Sequence, residues 1–226
     1  MNVVVEICVE GIESALAAHT GGTDRIELCE NLAVGGVTPS MGSIALACRR
    51  LAIPVHVLIR PRGGDFVYTD AEFEVMQHDI AMAKSLGAAG VVFGLLRPDR
   101  SLDHERLAHL MTVSHPLDVT FHRAFDEMNN PLEAVEALVS LGVERILTSG
   151  GAVRAVDGLI RLAEFSQQAA GRIAIAAGGR ITEADLPAIL GAGLKEIHIG
   201  SAACTGNRID ADKVRRMVEA VRTWPL

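Results

Sequence analysis

Aromatic side chains are scarce in this 226-residue chain: one Trp, one Tyr and six Phe, 4% in all. That leaves little flat surface on which nucleobases could stack. Positive charge is short as well. Lys and Arg number 21 against 28 Asp and Glu, a formal charge of −7, whereas a nucleic-acid or anionic-membrane binder needs a basic surface. Cysteine is limited to Cys8, Cys29, Cys48 and Cys204, with no Cys-x-x-Cys pair. This excludes zinc-finger spacing and a disulfide scaffold, and it leads us to expect reduced thiols in a cytoplasmic protein. No run of about 18 uncharged apolar residues occurs, so no membrane-spanning helix is expected. The start, Met1-Asn2-Val3-Val4-Val5-Glu6, has neither the basic residues nor the apolar stretch of a secretory signal.

What is present is apolar residues, 49%, and 22 glycines, a balance that suits a compact α/β chain and excludes a disordered one. One pattern recurs: a glycine, a few residues, then a short β-branched run. It appears around Gly21-Gly22, Gly87, Gly142 and Gly193. Each glycine sits where a helix should end in the left-handed conformation, and each following run reads as a strand of a parallel sheet. Eight strands are expected: Val3–Ile7, Arg25–Leu28, Val55–Ile59, Gly90–Phe93, Val119–Phe121, Arg145–Leu147, Ile173–Ala176 and Glu196–Ile199. Helical patterns lie between them, among them Ala71–Leu86, Pro131–Leu141 and Ala152–Ala170, with Thr69-Asp70 and Asn130 as starting caps. Eight units over 226 residues are about 28 residues each, which fits a single (β/α)8 TIM barrel spanning 1–226. A doubly wound sheet is the competing fold, but no Gly-x-Gly-x-x-Gly follows the first strand.

Barrels place their chemistry at the C-terminal ends of the strands. Here strand one ends Glu6-Ile7-Cys8 and strand two ends Glu27-Leu28-Cys29. The period-two alternation of a strand puts Glu and Cys of each triplet on one side. Strand three runs into Arg60-Pro61-Arg62, strand five into His122-Arg123, strand seven into Gly178-Gly179-Arg180 and strand eight into His198-Ile199-Gly200-Ser201. Three chemistries fit these residues. One is an anion site: Arg60, Arg62 and Arg123 supply guanidinium groups, and Gly178, Gly179, Gly200 and Ser201 lie where barrels bind phosphate. Its bland competitors are tight turns and a structural ion-pair network. The second is acid–base catalysis by Glu6, Glu27, His122 and His198. The third is metal: Cys8 and Cys29 on adjacent strands offer soft thiolates suited to cuprous copper or zinc, while a Glu/Glu/His set suits a harder ion. Buried cysteine is equally able to be simple core filler, which is the expectation for Cys48.

The blocks Arg25-Ile26-Glu27-Leu28-Cys29, Gly35-Gly36-Val37-Thr38-Pro39-Ser40, Ile59-Arg60-Pro61-Arg62-Gly63-Gly64-Asp65-Phe66 and Thr120-Phe121-His122-Arg123-Ala124-Phe125-Asp126 make the chain resemble the CutC family, named as copper homeostasis proteins. The resemblance implies a cytoplasmic, self-associating (β/α)8 barrel linked to copper, with ligands sought at Cys8 and Cys29. At Ile175-Ala176-Ala177-Gly178-Gly179-Arg180 the chain departs from it. The family favours Met before the glycines and a third glycine where Arg180 stands. Three functions follow: a copper-binding homeostasis protein, an enzyme on a small anionic, sugar-like substrate, or a barrel that binds without catalysis.

Overall fold

The computed structural model describes residues 3–225; Met1, Asn2 and Leu226, counted in the expected single domain, lie outside them. Eight parallel strands close into a barrel in chain order: β1 (Val4–Glu10), β2 (Arg25–Cys29), β3 (Val55–Leu58), β4 (Gly90–Phe93), β5 (Asp118–Phe121), β6 (Arg145–Thr148), β7 (Ala174–Gly178) and β8 (Glu196–Ile199). Around it run α1 (Gly11–Thr20), α2 (Met41–Arg50), α3 (Asp70–Ser85), α4 (His104–Ser114), α5 (Pro131–Ser140), α6 (Leu159–Ala169), α7 (Leu186–Gly191) and α8 (Ala211–Arg222). This is the expected TIM barrel. Between β8 and α8 the chain adds a two-residue hairpin, β9 (Cys204–Thr205) and β10 (Arg208–Ile209). Among the described residues, no helix is long and apolar enough to cross a membrane.

Local chemistry explains the punctuation. Thr69 caps α3 in a reciprocal capping box with Glu72, which satisfies two otherwise orphaned N–H groups. Gly87, Gly142 and Gly193 take positive φ at their helix ends, as expected, whereas Gly22 rather than Gly21 does so after α1. Gly21 has another reason to lack a side chain: a Cβ there would lie 2.5 Å from Val214 on α8. Asn130 sits at the cap position of α5 but its side chain makes no capping bond; Pro131 supplies the start. The helix expected at Ala152–Ala170 begins only at Leu159, after a short 3-10 turn at Ala155–Gly158. There the backbone passes so close to the end of β6 that a Cβ on Gly158 would sit 2.0 Å from the Ser149 carbonyl oxygen.

Alternation along each strand divides the protein into two interiors. Ile7, Val9, Ile26, Leu28, Val57, Ile59, Phe93, Phe121, Ile146 and Ile199 are buried in the apolar layer between barrel and helices. Each fully buried side chain of this kind contributes roughly 1.5–3 kcal/mol, so this layer is where the stability resides. The other face of the strands lines the barrel axis and is strongly polar, carrying Glu6, Arg25, Glu27, His56, Thr120 and Arg145, all buried.

Candidate functional site in the barrel axis

The parallel register sets the site. Glu6 stands opposite Arg25 on β2 and His198 on β8, and Cys8 stands opposite Glu27. Arg25 donates Nε–H to Glu6 and, 2.7 Å away, Nη2–H to Glu196. Arg145 donates to the same Glu196 oxygen at 2.5 Å and to the Thr120 hydroxyl at 3.0 Å. Because β2 and β6 are each one strand removed from β8, these bonds reach past an intervening strand through the barrel interior. Two guanidinium groups thus meet two carboxylates deep in the barrel, a pairing whose desolvation is tolerable only because every charge has a partner.

Above this layer lie the groups that remain for chemistry. Glu6 Oε1 accepts from His198 Nδ1 at 2.7 Å. That contact leaves His198 Nε2 pointing on, 3.6 Å from Glu27 Oε2. The ligating atoms of Cys8, Glu27 and His198 all lie within 4.8 Å of one another. Cys29 Sγ is 3.6 Å from Cys8 Sγ. Leu58 and Val92 pack beside both thiols.

Proximity separates the proton affinities. Hydrogen bonding from Cys29, with His198 alongside and against the opposing effect of burial, draws the Cys8 thiol down to about 5. Cys29, bonded to that sulfur and buried, is pushed well up. Burial and then the Cys8 charge push Glu27 well above the carboxylate range. Burial opposes the charged form of His198, but its bonds to Cys8 and Glu6 hold it well above the usual value. Burial likewise opposes ionised Glu6, yet Arg25 and His198 keep its carboxyl well below the ordinary range. The cluster thus favours a thiolate on Cys8 and a proton on His198, and it disfavours ionisation of Glu27 and Cys29.

A cavity of about 950 Å³ opens onto this cluster. Cys8 and His198 reach its wall; Arg123, Gly179, Arg180, Gly200, Ser201 and Cys204 line it as well. Arg123 is held in place by Asp126 at 2.8 Å and by the Ser149 hydroxyl at 2.8 Å. A second cleft, about 880 Å³, lies between α3 and α4. Its Arg106 is occupied by Asp70 and the Tyr68 carbonyl, and none of the strand-end groups reaches it. Chemistry, not size, separates the two.

Several residues read from the sequence lie elsewhere. Arg60 is buried and donates to the carbonyls of Val34, Gly36 and Gly64, so its guanidinium organises loops. Arg62 holds Asp65, Glu72 and the Val67 carbonyl. His122 packs against Phe66 with the rings tilted by 54° and their centroids 4.7 Å apart, and its Nδ1 accepts from the Ala124 N–H. Gly178 faces Leu147, whose Cδ1 would be 2.4 Å from a Cβ; the glycine makes room for packing. Arg25, Glu196 and Arg145, which the sequence did not single out, form the network below the thiols, and His56 is buried on the same face of β3 without joining it by a hydrogen bond. The signal was available: in Arg25-Ile26-Glu27-Leu28-Cys29 polar and apolar residues alternate.

The CutC family profile matches residues 3–223. The human protein named copper homeostasis protein cutC homolog is 50% identical over 196 residues, 86% of this chain and 72% of its own length. A family protein CutC from Chromobacterium violaceum is 42% identical over 96% of this chain and 87% of its own. Among solved structures, the putative copper homeostasis protein CutC of Streptococcus agalactiae superposes with a TM-score of 0.84 at 33% identity, covering 89% of this chain and 100% of that one. Phosphoribosylanthranilate isomerase of Pyrococcus furiosus shares the fold alone, with a TM-score of 0.66 at 13% identity over 99% of this chain and 100% of its own.

Proposed function

Since the chain belongs to the CutC family, we propose that it serves copper homeostasis by holding a cuprous ion at Cys8 and Cys29, with His198 as a third donor. The observation that carries this reading is the pair of sulfurs 3.6 Å apart on adjacent strands, with His198 among the donors grouped around Cys8. Soft thiolates select cuprous copper, and imidazole suits copper too. Cys8 is already the more acidic thiol; binding would displace the proton from Cys29 and that from His198, which makes loading favour higher pH. Both thiols are free, so the site requires a reducing compartment, for which we take the cytoplasm. Self-association follows from the family resemblance and is read by light scattering.

The test is an anaerobic titration with cuprous ion against a chromophoric chelator. One ion per chain is expected, and the double variant Cys8→Ser, Cys29→Ser should lose it. Unchanged stoichiometry in that variant would overturn the assignment.

A further inference from the structure

Metal binding at the thiols does not use everything gathered around Cys8. Only Cys8 and His198 of the four-residue cluster reach the wall of the 950 Å³ cavity; Cys29 and Glu27 lie behind. His198 has one ring nitrogen on Glu6 at 2.7 Å, and Glu6 is fixed in turn by Arg25. Arg25 is itself pinned by Glu196 at 2.7 Å. A ligand site would need His198 only as a donor. A four-member chain that fixes the ring, with a thiol within 4.8 Å of the imidazole, is the arrangement of a nucleophile, a base and an orienting carboxylate. Among the described residues neither Arg180 nor Arg208 makes an ion pair, and both line the cavity wall, as do Glu10 and Glu13.

We propose that Cys8 is a catalytic nucleophile, with His198 as its general acid–base and Glu6 as the positioning residue, acting on a small acyl compound that bears a carboxylate or phosphate. Arg180 and Arg208 hold the anionic end. Cys8 Sγ attacks the carbonyl carbon, the bond to the leaving group breaks, and His198 gives the leaving group its proton. Water then attacks the thioester carbon and yields a proton to His198. The C–S bond breaks to release the Cys8 thiolate, and the proton stays on His198, which restores the starting pair. The net reaction is hydrolysis, with no electron transferred and water as the co-reactant. Glu6 stays ionised throughout because Arg25 faces it. A cuprous ion on Cys8 would occupy the nucleophile, so the two activities exclude each other on one chain.

The experiment uses metal-free, reduced full-length protein and two probes, mono-4-nitrophenyl succinate and neutral 4-nitrophenyl acetate. The expected result is a nitrophenolate burst stoichiometric with protein, a succinyl adduct mapped by mass spectrometry to Cys8, and faster reaction with the anionic ester. Cys8→Ser should lose the burst, and Cys48→Ser should keep it. In His198→Gln the adduct should still form on Cys8, about 100-fold more slowly, as expected when a general acid–base is lost. Arg180→Gln should cut the preference for the anionic ester by about tenfold, the value of one charged hydrogen bond. Adduct mapping on the unaltered chain needs no variant to fold. No adduct at Cys8, or adducts spread equally over the four cysteines, would overturn the proposal. Copper stoichiometry measured on the same preparation stands or falls separately.

Discussion

At the scale of single residues, the buried interior carries ionisable groups held away from their ordinary protonation. His122 is buried and lowered to about 3, by burial and then by the Arg60 charge. His56 is lowered to about 4, again mainly by burial. Both are neutral in the fold, whereas the unfolded chain takes up their protons near 6.5. Their effect on stability therefore begins as pH falls through 6.5, and it grows until the folded rings protonate near 4 and 3. The maximum slope is about 1.4 kcal/mol per pH unit for each ring. His198 has the opposite sign. Its raised affinity stabilises the fold below 6.5, and that contribution is lost as pH rises through its folded value. The variant His122→Asn retains an acceptor for the Ala124 N–H but cannot titrate. Its stability should decline less steeply than that of the unaltered chain between pH 6.5 and 4, as read by urea midpoints at constant m. Parallel declines would show that His122 titrates freely.

At the scale of elements, the connections differ in how much room they leave. Gly158 and Gly150 cross at the end of β6, with a Cβ on Gly150 falling 2.4 Å from the Gly158 carbonyl oxygen. Gly191, which ends α7, has nothing within 4 Å. Gly158→Ala should cost about 1–3 kcal/mol, the usual penalty for overpacking. Gly191→Ala should instead stabilise by about 0.4–1 kcal/mol, by narrowing the unfolded ensemble. Thermal denaturation giving the reverse order would contradict this account. The same crossing shows where sequence legibility stops. Four strands, β2, β4, β6 and β8, were readable from glycine followed by β-branched residues, because that pattern is local, and the other four came from filling the intervals between them. The late start of α6 was not, because Gly158 is needed against Ser149, a partner that no helical periodicity encodes. Alternation also brought Glu6, Cys8, Glu27 and Cys29 onto one face correctly. It did not reveal that Arg60 would turn to the carbonyls of Val34 and Gly36, since main-chain acceptors leave no mark in sequence.

For the whole molecule, the −7 charge is a poor guide to the site, because Arg123, Arg180 and Arg208 line the cavity beside Cys8. The architecture was legible from repeat count and length. The division between an apolar outer layer and an ionic axis was not, because it depends on the closure of the sheet. That closure has a kinetic side. Glu6 and His198 face one another across strands 192 positions apart, so the ring joins its first strand to nearly its last. Pairing at such sequence separation slows folding, since loop entropy is lost before contacts repay it. Until β8 arrives, β1 and β7 each present an unpaired row of N–H and C=O groups, the template for edge-to-edge association. A chain ending at Leu194 should therefore aggregate, detected by light scattering, where the full chain refolds; a soluble seven-stranded fragment would refute this. A growing polypeptide of this sequence accordingly depends on the ribosome releasing it whole, or on a chaperone shielding both edges until synthesis is complete.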